Sequence, residues 1–122
     1  MNSSPSDRQP KIARFWRGRT VRDRADEYLR YWREEGGLHP LAEKALAVQM
    51  LREVRGGETE FVTISWWPSI EAMSAFAGDD PRRVHHLPRD PEFLLELPER
   101  VQVLEITDAT WPPTRPAVGP LG

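Results

Sequence analysis

Residues 60–67, EFVTISWW, constrain the chain more than any other stretch. Their β-branched and aromatic residues favour a strand. Strand side chains alternate between faces, so Phe61 and Trp67 point one way while Val62, Ile64 and Trp66 point the other. Both faces are therefore bulky and apolar, and both need cover. The same holds at two other places. Ile12 and Trp16 oppose Phe15, and Val101 and Val103 oppose Leu104 and Ile106.

The segments around this strand follow a definite order. Gly56-Gly57 separates it from an extended run at 45–54, ALAVQMLREV, and two glycines suit the positive φ angles of a tight hairpin. Upstream, 11–19 (KIARFWRGR) reads as a first strand. Thr20 with Asp23 resembles a capping box opening a helix whose apolar face is Val21, Ala25, Tyr28, Leu29 and Trp32. Gly36-Gly37 ends that helix, and a loop runs through His39-Pro40. Downstream, Ser69 caps a second helix carrying Ile70, Met73, Phe76 and Ala77, closed by Gly78. Asp80-Pro81 predicts a short helix bearing His85 and His86, which Pro88 stops. Asp90-Pro91 predicts a further helical turn through Phe93 to Leu95, and 100–106 (RVQVLEI) a closing strand.

This β-α-β-β-α-β order predicts an α+β, ferredoxin-like domain over 11–106, with both helices on one face of a four-stranded antiparallel sheet. The other face, apolar as well, predicts a homodimer packed sheet against sheet. Residues 1–10 read as a disordered leader. Residues 107–122 hold Trp111 and four of the 12 prolines, and read as a Pro-rich tail. No repeat of 20–50 residues is visible.

Composition narrows the function. A net charge of −2 provides no basic field for a phosphate backbone, so nucleic acid is not an expected partner. The absence of cysteine excludes a disulfide framework, a thiolate metal site and a cysteine nucleophile. Nothing approaches the roughly 18 apolar residues of a membrane span, and the polar start lacks a signal-peptide core. A cytoplasmic protein is expected. No metal is expected either, because adjacent His85 and His86 lack the i, i+4 spacing of a helical two-histidine site.

The run SWWPSIEAMSAFAGDDP (65–81), following a hairpin and a first strand IARFWRGR (12–19), resembles the antibiotic biosynthesis monooxygenase family of dimeric α/β barrels. The similarity spans about 12–106. It implies a homodimer, a pocket for a small hydrophobic or aromatic ligand, and oxygenation of polyphenols or quinone precursors without a cofactor. In the haem-degrading branch a histidine follows a helix tryptophan by ten positions. Here His86 follows Phe76 by ten, and the chain's one asparagine, Asn2, is not on the first strand where that branch uses one. Trp16 falls near the first-strand tryptophan of the cofactor-independent members.

Such a reaction needs an apolar pocket, a proton acceptor and donors for a developing oxyanion. The candidate centre lies between helices and sheet. His86 is the candidate base, while Trp16, Trp67, Phe76, Arg14 and His85 are candidates for substrate contact. Arg14, at the parity of Ile12 and Trp16, also needs an acceptor, and Glu105 in a neighbouring strand could serve. Asp79, Asp80 and Asp90 read as helix caps, and His39 as a loop residue. Three functions fit: a monooxygenase on a small aromatic or quinoid substrate, a non-catalytic ligand-binding or structural homodimer, and a haem-binding monooxygenase. An enclosed cavity reached by a histidine favours the first; a sealed core favours the second.

Overall fold

A computed structural model of the chain describes residues 9–36, 38–78, 80, 82–84 and 86–110, apart from the side chain of His39. The readings of residues 1–8 as leader, of 111–122 as tail, and of Asp79 and His85 lie outside the described residues.

Strand β1, Ile12–Val21, is followed by a 3-10 turn at Arg22–Arg24, helix α1 (Ala25–Glu35) and helix α2 (Leu38–Lys44). The hairpin β2 (Ala47–Arg55) and β3 (Glu58–Trp67) comes next, then α3 (Ile70–Ala77), a single turn α4 (Asp90–Phe93) and β4 (Gln102–Glu105). The sheet order is β2-β3-β1-β4, with every pairing antiparallel. This is the ferredoxin-like α+β arrangement that the segment order predicts.

The hairpin forms where the glycines stand. Arg55 pairs with Glu58, so Gly56-Gly57 is a two-residue turn, with Gly56 at φ +60°. Ser69 caps α3 as expected, its hydroxyl accepting the Ala72 N–H at 3.0 Å. On α1, Ala25, Tyr28, Tyr31 and Trp32 are buried.

Four expectations fail, the first two for long-range reasons. Thr20 is not a helix cap. It lies in β1 opposite Thr59, completely buried, because the β1–β3 ladder runs ten residue pairs, from Ile12–Trp67 to Val21–Glu58. Val21 accordingly ends a strand at 40% exposure instead of joining the apolar face of α1. Nor does Asp80 open a helix. Its carboxylate accepts the Arg82 N–H at 3.0 Å, and Arg83 then forms an antiparallel bridge with Arg100. The Val101 N–H donates to the Arg82 carbonyl at 2.9 Å, so the chain ahead of β4 draws this stretch out. His39-Pro40 belongs to α2, not to a loop. The last strand is also shorter than predicted.

The helix-covered face of the sheet holds two apolar clusters. Tyr28, Tyr31, Phe61, Phe93 and Leu94 form one; Ile12, Leu41, Trp67 and Met73 form the other. The space between them positions the site.

Candidate functional site

The floor of that space is set by strand register. Arg14 pairs with Ser65 and Trp16 with Thr63, two consecutive same-face pairs on β1 and β3. Directly paired residues share a face, so these four side chains meet under the helices. Three are polar. Above them lie Tyr28, Trp32 and Gly36 from the α1 side, Leu41 from α2, Phe76 from α3, and Leu87 and Asp90 from the segment leading into α4. Together they line a half-open cavity of about 270 Å³, near the small end of ligand pockets.

The aromatic walls are held by specific packing. Trp16 stacks on Tyr28, with ring centroids 6.4 Å apart and planes within 20°. Its indole lies back along the strand over Gly18, where a β-carbon would come within 2.5 Å of the ring. Glycine at 18 is what lets Trp16 lie flat. Phe76 is backed by Trp67 at 5.6 Å. Trp67 is therefore one layer behind the wall: wholly buried, its indole N–H donates to the Ser65 hydroxyl at 2.9 Å. Its neighbour Trp66 leaves the opposite face and donates to Gln49 at 3.1 Å.

Arg14 is buried, and its guanidinium donates to the Arg83 carbonyl at 2.8 Å. That acceptor is a backbone oxygen and not the Glu105 carboxylate, since Glu105 stands opposite Ile12, two pairs further along. The guanidinium carbon lies 6.0 Å from the centre of the Phe76 ring. Burial lowers the Arg14 pKa, but an arginine keeps its charge through any physiological range.

Asp90 was read from sequence as a cap, and the structure gives it another place. It is the first residue of α4, 3% exposed, and lines the cavity. One carboxylate oxygen, Oδ2, accepts the Leu87 N–H at 2.8 Å. The other, Oδ1, is buried and has no hydrogen-bond partner among the described residues. Burial pushes this carboxyl above the usual aspartate range, against the Leu87 N–H and nearby His86, which favour the charged form. Burial, with Asp90 and Tyr31 close by, also pushes the Tyr28 hydroxyl well above its ordinary range, so it stays protonated.

His86 is not on the wall. Its side chain is 34% exposed, with Nδ1 4.0 Å from Asp90 Oδ2. Of the six residues singled out from sequence, Arg14, Trp16 and Phe76 meet in the cavity. Trp67 supports it from behind, His86 touches it through Asp90, and His85 lies outside the described residues. Tyr28, Trp32, Thr63, Ser65 and Asp90 were missed. Thr63 and Ser65 did carry a signal: two hydroxyls at the same parity as Phe61 and Trp67, where a filled core would be apolar.

The described wall residues include no imidazole, thiolate or thioether to ligate haem iron, and their one phenol, Tyr28, stays protonated. They do not fit a haem. Among the described residues no group of three His, Cys, Asp or Glu side chains could hold a metal ion, and none of their helices is long and apolar enough to cross a membrane.

Fold and site together define an α+β ferredoxin-like protein with a ligand-sized cavity between its layers. The same fold occurs in the crystal structure of a Bacillus cereus protein provisionally named an antibiotic biosynthesis monooxygenase. The match covers 84% of this chain and 99% of that one, with a TM-score of 0.60 and 14% sequence identity. At that identity the likeness establishes the shared fold. No family model matches the chain, and no curated protein sequence does.

Proposed function

We propose that the chain is a cofactor-independent monooxygenase acting on a small aromatic or quinoid substrate held in this cavity. The observation that carries the reading is the wall itself: flat rings from Trp16, Tyr28, Trp32 and Phe76 around the buried cation of Arg14. Aromatic walls accept a planar ring by stacking or edge contact. A guanidinium in a site shielded from water stabilises a phenolate or enolate as it forms. The provisional name of the Bacillus cereus protein supplies the reaction class.

Such chemistry draws its electrons from the substrate. Loss of a proton from an electron-rich phenol gives a carbanion that reduces dioxygen directly, and R₂CH₂ + O₂ → R₂C=O + H₂O balances without an outside reductant. The chain would then provide enclosure, a cation and a proton acceptor. Dioxygen uptake with anthrone as probe tests this. One dioxygen should be consumed per anthraquinone formed, and Phe76→Ala should lower kcat/KM by roughly tenfold, the worth of a lost ring contact. Anthrone binding with no dioxygen uptake would leave a ligand-binding protein.

The sheet face away from the helices supports a homodimer. Phe15, Val62, Ile64, Trp66, Leu51 and Leu104 share it by register, and two copies packed through a two-fold axis would cover it. Sedimentation should give about twice the 14.1 kDa chain mass. A persistent monomer would overturn that assembly.

A further inference from the structure

We infer that Asp90 is the proton acceptor of the cavity: a ligand with an acidic aromatic hydroxyl binds as its anion beside Arg14, and its proton moves onto Asp90 instead of into solvent. This rests on the aromatic-ligand reading of the same cavity and deepens it by naming the ligand's acid–base class. Three observations carry it. Asp90 is the one carboxylate among the described lining residues, and Arg14 the one cation. The two oxygens of Asp90 are unequal, because Oδ2 is engaged by the Leu87 N–H while Oδ1 is buried with no partner among the described residues. Leaving a buried acceptor unpaired is costly; Oδ1 is closed to water where it stands, so a ligand hydroxyl meets it by turning the carboxylate toward the cavity that Asp90 lines. The charged and titratable groups facing Asp90 leave that role open. Tyr28 and Tyr31 on α1 stay neutral, Arg89 precedes it in sequence, and His86, partly exposed, stands 4.0 Å from Oδ2.

The step balances within the cavity. The ligand O–H bond breaks, its electron pair remains on the ligand oxygen as a phenolate facing Arg14, and the proton forms a new O–H bond on Asp90. Charge is moved, not created: a carboxylate becomes neutral as a phenol becomes an anion.

The probe is 4-nitrophenol, whose colour reports its ionisation, titrated into the whole chain near neutral pH and below its own solution pKa. Calorimetry in two buffers of different ionisation enthalpy counts the protons exchanged. The expected result is a coloured, bound phenolate with close to no net proton release. Asp90→Asn keeps an oxygen for the Leu87 N–H and should release close to one proton per phenolate bound. Arg14→Met should bind the probe colourless.

Colourless binding to the native chain overturns the proposal, and so does coloured binding with a full proton released. Either leaves the aromatic cavity standing. No tryptophan quenching by 4-nitrophenol or by the neutral ring naphthalene sinks the cavity reading and the proposal with it. The native chain's own proton count decides the matter even if a variant fails to fold.

Discussion

Each face of the sheet breaks the usual division of polar and apolar residues near its centre. Under the helices, β3 buries Thr59, Thr63 and Ser65 between and beside Phe61 and Trp67, with Arg14 alongside on β1. On the face turned away, Val62, Ile64, Trp66 and Phe15 stand together, and Leu51 and Leu104 are 47% and 43% exposed. A monomer selected for stability alone would show the reverse. Polar groups kept under a helix layer maintain a hole that something polar can enter. Apolar groups kept outside ask for a partner surface. Each face departs from the rule in the direction that its proposed task, ligand binding inside and self-association outside, would require.

Adjacent tryptophans offer the sharpest way to break this comparison. Trp67→Ala removes a wholly buried indole and its bond to Ser65. It should cost about 3–5 kcal/mol in chemical denaturation, whatever the state of assembly. Trp66→Ala, one residue away on the other face, should change the stability of a dilute monomer by under about 1 kcal/mol while weakening self-association. Equal losses from the two substitutions would mean that both faces are covered within one chain.

Ile64→Lys tests the outer face alone. A lysine at the middle of the proposed sheet-to-sheet interface would be buried without a partner, so dimer affinity should fall by roughly 10³-fold, about 4 kcal/mol. Sedimentation should then return the 14.1 kDa monomer, with 4-nitrophenol binding retained because the cavity opens on the covered face. Loss of both together would show that the faces depend on one another.

A smaller effect is expected from Gly18→Ala. The added methyl would meet the Trp16 ring at 2.5 Å, and the ring must lift from the strand. Overpacking of this kind costs about 1–3 kcal/mol, and the displaced indole would also change its fluorescence and intrude on the cavity. Pairing the substitution with Trp16→Ala should restore much of the stability but not the binding. Failure of that rescue would mean that glycine serves the backbone there and not the indole.

The covered face was partly legible in the sequence because parity is a local property. Phe61 and Trp67 against Val62, Ile64 and Trp66 can be read from eight residues, and Gly56-Gly57 and Ser69 mark their turns by chemistry at one position. Thr20 misled because its length of pairing depends on β3, some 40 residues away. Asp80-Pro81 misled for the same reason: the Arg83–Arg100 bridge is invisible to a local pattern. Of the site, Arg14, Trp16 and Phe76 could be placed by face alone. Asp90 could not, since aspartate before proline is also an ordinary helix start, and only tertiary packing reveals that its carboxyl is buried. Trp67 has the right face but the wrong depth.

Asp90 also gives the smallest and most specific test. Burial raises its pKa, so the native chain holds this proton at pH values where the unfolded chain, with an ordinary carboxyl near 3.9, has released it. Stability from this group is therefore fully present below the unfolded pKa. It is lost as pH rises through the higher native value. Glu27, Glu92 and Asp80 shift the opposite way through their arginine or backbone partners, so the native curve alone would mix the two signs. The difference between native chain and Asp90→Asn isolates the buried carboxyl, because the other groups remain in both. The Tm of Asp90→Asn relative to the native chain should climb as pH rises above the unfolded carboxyl's value of about 3.9 and level off once the raised native value is passed, and the step should shrink when a phenol occupies the cavity. A relative Tm independent of pH would mean that Asp90 titrates as an exposed carboxyl does, and that the covered face holds no buried acid.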